Sequence, residues 1–176
     1  MVQNLGLDSI RCVQQMGFLK LWQLKSLNGQ IPELKSLPLA DLARSIDKIM
    51  FCLVDKTTKQ PRFRIIHEGS QLVKMFGGCS VGKHVDEAIS PVLREDALKC
   101  YEQVVNTRRP NFSVFYVKTP NGPLTRYERL LLPFSKKGPF VQGIGCMVSL
   151  FTEANGLNFD DISSPVLKVI DDIAVT

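Results

Sequence analysis

Histidine, tryptophan and tyrosine are scarce in this chain, at two, one and three of 176 residues. The shortage of histidine has the widest consequences. A structural zinc site needs at least two close ligand pairs, and the two histidines, His67 and His84, do not supply them. Nor do the five cysteines, Cys12, Cys52, Cys79, Cys100 and Cys146, which are odd in number, scattered and never spaced C-x-x-C. No metal is expected, and reduced thiols fit a cytoplasmic location. Long apolar runs are also missing. The longest, such as residues 49–54, are far too short to span a bilayer, so no membrane partner is expected. The start, Met1-Val2-Gln3-Asn4, has no basic region leading into an apolar stretch, and no signal peptide is expected. Concentrated charge is lacking too. The net charge of +5 is dispersed, with Arg108-Arg109 and Lys136-Lys137 as the doublets, both at turns. Nucleic-acid binders gather such charge on one face, so no nucleic-acid partner is expected.

What is present is a globular composition. The hydrophobic content is 44% and the mean hydropathy is near zero, which suits one domain with a helical extension. Residues 8–28 carry apolar side chains at helical spacing. Ile10, Val13, Gly17, Leu21 and Leu24 form the stripe, and Met16, Leu19 and Trp22 widen it. Asp8 stands as the N-cap, and Asn28-Gly29 followed by Pro32 as the stop. Pro38 opens a short helix over residues 39–46.

The period then changes. Residues 49–54 read as a central strand, and residues 62–66 as an edge strand with Phe63 and Ile65 on one face. Residues 71–76, capped by Ser70, and residues 84–89 read as brief helical pieces. A longer helix, opened by Ser90-Pro91, runs until shortly before Pro110 with Leu93, Ala97, Cys100, Tyr101 and Val104 inward. Strands follow over residues 112–117, 124–132 and 140–151. Turns are expected at Pro120-Asn121-Gly122 and at residues 136–138, and a weakly helical tail covers residues 155–176. Two strands, a helical insert and three strands build an α+β fold. It is one five-stranded antiparallel sheet with helices on one face and an N-terminal helical extension. The divisions are residues 1–47 for the extension, 48–152 for the domain and 153–176 for the tail.

This order resembles that of a PAS domain, and several motifs resemble a proteobacterial stand-alone branch of that family. They are Arg64-Ile65-Ile66-His67-Glu68-Gly69-Ser70-Gln71-Leu72, the glycine-bearing connector with Gly77, Val81 and Gly82, and Glu128-Arg129-Leu130-Leu131-Leu132-Pro133-Phe134-Ser135. The last is similar to the branch's "ERLLLP" strand. Trp22 and Pro32 match its tryptophan-bearing helix and following connector. The resemblance spans Trp22 to Leu150 and departs at His67-Glu68-Gly69, where the family often has an apolar residue before the glycine.

The resemblance implies a bacterial, cytoplasmic sensory or regulatory domain. It would bind a small molecule or a protein and have no catalytic function. No second region is long enough for a kinase, cyclase or DNA-binding output domain, so the signal is expected to reach a signalling partner. A homodimer through the N-terminal helix is also expected. Flavin photosensors of this superfamily need a reactive cysteine near residues 82–87, and here Val85 stands in that place while Cys79 lies in another context. Haem sensors use a histidine on or near the long helix, which holds none. Neither flavin nor haem is expected.

Five residues are candidate ligand contacts: His84, Tyr101, Tyr116, Glu128 and Arg129. Glu128 and Arg129 are neighbours on a strand and must point to opposite faces, so one of them faces the helices. There it needs a partner or a polar ligand. An alternative reading is a small α+β pocket enzyme with Glu128 or His84 as its acid–base group.

Overall fold

The computed structural model describes residues 3–26, 30–56, 60–118, 125–152 and 167–169. In chain order its elements are β1 (Gln3–Leu5), α1 (Val13–Lys25), α2 (Leu39–Leu42), β2 (Ile49–Asp55), β3 (Arg62–Glu68), α3 (Ser70–Met75), α4 (Val85–Ala88), α5 (Pro91–Thr107), β4 (Asn111–Lys118), β5 (Thr125–Phe134), β6 (Gly143–Thr152) and β7 (Leu167–Val169).

Five antiparallel strands in the order β4-β5-β6-β2-β3 form the sheet, as expected for this α+β fold. The β5–β6 pair is the longest ladder, running in register from Thr125 opposite Thr152 to Phe134 opposite Gly143. The edge strand β3 alternates as its sequence suggests. Phe63 and Ile65 are buried while Arg64 and Ile66 face solvent.

Two short strands extend β4 beyond what the sequence indicated. β1 pairs antiparallel with Phe112 to Val114, and β7 runs parallel to Tyr116 to Lys118. Three residues carry too little alternation to be recognised as a strand. The weak helicity expected for residues 155–176 does not hold at β7. The rest of that segment lies outside the described residues, as do the expected turn at Pro120-Asn121-Gly122 and the stop at Asn28-Gly29.

The helices α3, α4 and α5 cover one face of the sheet, and the N-terminal segment covers the other. Two buried clusters result. Cys52, Phe63, Ile65, Leu72, Val104 and Ile144 belong to the first. Phe18, Trp22, Phe51, Leu130, Leu132, Phe134 and Met147 belong to the second. At about 1.5–3 kcal/mol for each fully buried large apolar side chain, either cluster is a substantial source of stability.

The helix expected over residues 8–28 begins only at Val13. Leu7–Ser9 is a single 3₁₀ turn, Cys12 is extended, and Ile10 is buried outside the helix. The buried face of α1 also differs from the expected stripe. Gln15, Phe18, Leu19 and Trp22 point inward, whereas Val13 and Leu24 are 76% and 74% exposed. Gly17 has open space where a side chain would stand. Apolar residues surround most of this helix, so spacing alone cannot choose a face. Phe18 and Trp22 decide it, because the sheet offers them the larger buried area. Trp22 Nε1–H donates to the Pro133 carbonyl at 2.7 Å. Gln15 Nε2–H donates to the carbonyls of Glu128 at 3.3 Å and Met147 at 3.2 Å.

One glycine closes this face. A Cβ on Gly145 would stand 2.9 Å from Phe18 and 3.0 Å from both Phe51 and Phe134. Its missing side chain is the space that the aromatic trio occupies.

Candidate functional site

Alternation along β5 sorts its side chains between the two faces. Tyr127, Arg129 and Leu131 turn toward α3–α5, and Glu128, Leu130 and Leu132 toward α1. Between the α3–α5 helices and the sheet lies a cavity of about 230 Å³. Its walls are mostly apolar. Met50, Ile65, Phe115, Tyr127 and Val148 come from the strands, and Leu72, Val85, Leu93, Ala97 and Tyr101 from the helices. Two charged residues also reach it, Glu68 from the end of β3 and Arg129 from β5.

Arg129 is 3% exposed. Its guanidinium carbon lies 5.7 Å from the ring centres of both Tyr101 and Phe115, a cation–π setting on two sides. Phe115 itself stacks on Tyr127 with centroids 4.2 Å apart. The Nε and Nη2 atoms of Arg129 have no hydrogen-bond partner among the described residues, and no described carboxylate forms an ion pair with it. Burial holds the Tyr101 and Tyr127 hydroxyls and the Cys52 and Cys146 thiols above their ordinary values. All four are therefore neutral near pH 7 and supply no counter-charge. An arginine keeps its proton at any such pH. The cavity thus holds a permanent cation with free donors.

Glu68 is more settled. Its Oε2 accepts the Ser80 backbone N–H at 2.6 Å, which places the carboxylate at the connector between α3 and α4. Sequence reasoning passed over Glu68 as part of a turn. The departure at His67-Glu68-Gly69 was the available signal, since a carboxylate stands where the family often has an apolar residue.

Of the five candidate residues, Tyr101 and Arg129 meet at the cavity and the other three do not. Tyr116 packs against the cluster beneath α1. Glu128, fully buried, also faces α1, with Oε1 2.8 Å from Arg126 Nη2, although neither carboxylate oxygen accepts a well-directed hydrogen bond. Burial raises its carboxyl above the ordinary value, opposed by the charges of Arg126 and Arg11. His84 precedes α4. Its backbone N–H donates to Glu87 Oε2 at 2.9 Å, and its Nδ1 lies 3.7 Å from the same oxygen. The neighbouring Val85 is fully buried and lines the cavity. Cys79 is exposed.

A second set of polar contacts fastens the helices over the cavity to the sheet. Arg62 on β3 reaches Asp86 at 2.7 Å and Glu87 at 2.8 Å. The Ile65 N–H donates to the Lys83 carbonyl at 2.9 Å, and the Gly82 N–H to the Ile65 carbonyl at 2.8 Å. Gly69, at the start of α3, lies so close to the Asp47 backbone that a Cβ there would overlap it. Among the described residues no cluster of histidine, cysteine and carboxylate side chains has the geometry of a metal site. No described helix is long and apolar enough to cross a membrane.

No protein-family model and no curated protein matches this chain significantly. Similar chain paths occur among solved structures. A light-oxygen-voltage domain, studied with a flavin analogue, is 10% identical with a TM-score of 0.46, over 66% of this chain and 87% of that one. An RNA-binding light-oxygen-voltage receptor is 14% identical with a TM-score of 0.43, over 73% of this chain. This chain spans 38% of that receptor's length. At such identities the likeness is one of fold alone, and the reading of the site rests on its own geometry.

Proposed function

We propose that this chain is a PAS-like sensory domain that binds a small molecule between its sheet and helices α3–α5, without catalysis of its own. The observation that carries this reading is the cavity of about 230 Å³, with mostly apolar walls and one buried cation that has two free donors. Concave apolar sites with a few convergent polar groups are the usual form of a ligand site. The acid–base groups of the enzymatic alternative, Glu128 and His84, both lie away from that cavity, which favours binding over chemistry.

The signal would travel through the cavity's helical wall. A ligand that fits one placement of α3–α5 better than another shifts the population of those placements. The α3 and α4 helices span only six and four residues, and α4 is held partly by the half-buried Arg62 pairs, so they are the part best suited to move. Output then passes to a signalling partner or to the oligomeric state. The exposed Val13, Gly17 and Leu24 of α1 are the face that would meet a second copy. Light scattering at dimer mass that Leu24→Lys converts to monomer mass with unaltered stability supports that contact, and a dimer that persists in Leu24→Lys removes it.

The flavin of the first similar domain is not carried over, because the likeness is one of fold alone. The RNA of the second is not carried over either, because that likeness too is one of fold alone. The deciding experiment is native mass spectrometry with an absorption spectrum, followed by hydrogen exchange with and without any compound found. A bound small molecule that protects α3–α5 supports the proposal. Unchanged protection in those helices counts against it.

A further inference from the structure

We infer that the ligand is a small monocarboxylate with an apolar body, its carboxylate gripped by Arg129; this rests on the reading of the cavity as a ligand site. The assignment comes from which donors are free. The Nε and Nη2 atoms carry parallel N–H bonds along one edge of the guanidinium, and these are the two nitrogens without a partner. A carboxylate accepts such a pair with both oxygens, and the bidentate arrangement is the strongest that arginine makes. Tyr101 and Phe115, each 5.7 Å from the guanidinium carbon, flank the group and limit its rotation, so the fork is held ready before a ligand arrives. A buried cation without a counter-charge is costly. An anionic ligand removes that cost on binding.

The rest of the cavity limits the ligand further. Its walls are mostly apolar, with Glu68, Ser80 and Ser90 as the other polar residues, which calls for an aliphatic or aromatic body. About 230 Å³ is less than a drug-sized ligand needs. Glu68 enters from β3, separated from β5 by β2 and β6 in the sheet, so the backbones that carry the two charges stand roughly 14 Å apart across the strands. A second carboxylate at that end would face Glu68 and be repelled, so the site discriminates against dicarboxylates. Phosphate is disfavoured for a related reason: one arginine offsets one charge, and a dianion would bring an uncompensated one into an apolar cavity.

The test is calorimetric titration of the full chain with octanoate, octanamide and octanedioate, and with 3-phenylpropionate and its amide. Each acid is expected to bind about tenfold or more tightly than its amide, with octanedioate weaker than octanoate. Arg129→Met should abolish the preference for acid over amide while leaving amide binding in place. Arg129→Lys, which keeps the charge but not the fork, should retain part of it and controls for any loss of fold. Equal binding of acid and amide by the unmodified protein, or an intact preference in Arg129→Met, overturns the carboxylate assignment and leaves the cavity as a ligand site. Saturable binding by no compound of either series overturns both.

Discussion

Glu128 and Arg129 are neighbours on one strand, yet burial treats them differently, and the contrast extends to the two faces of the sheet. Beneath α1 the packing is closed. Phe18, Phe51 and Phe134 interlock over Gly145 with edge-to-face and tilted contacts of 6.2–6.4 Å between centroids. The buried Glu128 has Arg126 at 2.8 Å. Under α3–α5 about 230 Å³ is left open and the buried Arg129 has no ion-pair partner among the described residues. One face is organised for stability and the other leaves an interaction unfinished, which is what a binding site requires. Six substitutions test that division.

The largest effect should come from cutting into the closed face. Phe134→Ala removes a ring that both Phe18 and Phe51 contact, and should cost about 3–5 kcal/mol by denaturant unfolding. Leu72→Ala, fully buried but on the cavity wall, should fall near the low end for leucine, about 2 kcal/mol. Its side chain already adjoins empty space and has fewer contacts to lose. Equal costs at the two positions would mean that the faces are packed alike.

Next comes a change of opposite sign. Arg129→Met replaces a buried cation that has no ion-pair partner among the described residues by a shorter apolar side chain and should stabilise the ligand-free protein by about 1–4 kcal/mol. A loss of stability would show that the guanidinium is satisfied within the fold, and the contrast with Glu128 would fail. Gly145→Ala should then destabilise by about 1–3 kcal/mol, because the added methyl meets three aromatic rings at 2.9–3.0 Å. Ala97→Leu on the cavity wall inserts more volume and should be better tolerated, since Ala97 borders the opening. Thermal unfolding of the pair measures both.

Much of this was legible in the sequence where the pattern is periodic and local. The alternation of Arg62-Phe63-Arg64-Ile65 marked the edge strand. Ser90-Pro91 fixed the start of α5, and Arg108, in the left-handed region at φ 58°, ends it just before Pro110. Strand alternation also required Glu128 and Arg129 to part company. It could not say which of them faces the helices, because either charge can sit beneath a helix if partnered. That depends on Arg126 and Arg11 gathering near Glu128, a matter of tertiary placement. The face of α1 was misread for a related reason. With Val13, Met16, Phe18, Leu19, Leu21, Trp22 and Leu24 in a single 13-residue helix, spacing supports more than one stripe, and the sheet selects the one that buries the large rings. Tyr101 was readable as an inward residue of α5. Glu68 was not, because its role comes from the connector folding back to give it the Ser80 N–H.

The smallest effect is also the most specific to the closed face. Burial raises the Glu128 carboxyl above its ordinary value, with Arg126 and Arg11 opposing the shift. An acid whose value is raised on folding ionises more readily in the unfolded chain, so raising the pH favours unfolding. Its contribution is therefore most favourable to the fold below about pH 4, near the unperturbed glutamate value, and is lost as the pH rises through the raised value. Glu128→Gln mimics the protonated form and keeps an acceptor toward Arg126. Subtracting the stability of Glu128→Gln from that of the unmodified protein, across about pH 4 to 7, removes every titration that the two share. The difference should turn against the unmodified protein as the pH rises. A difference that turns in its favour would mean that Arg126 and Arg11 outweigh desolvation. The paired carboxylate would then be a net source of stability, and the asymmetry between the two buried charges would be greater than burial alone indicates.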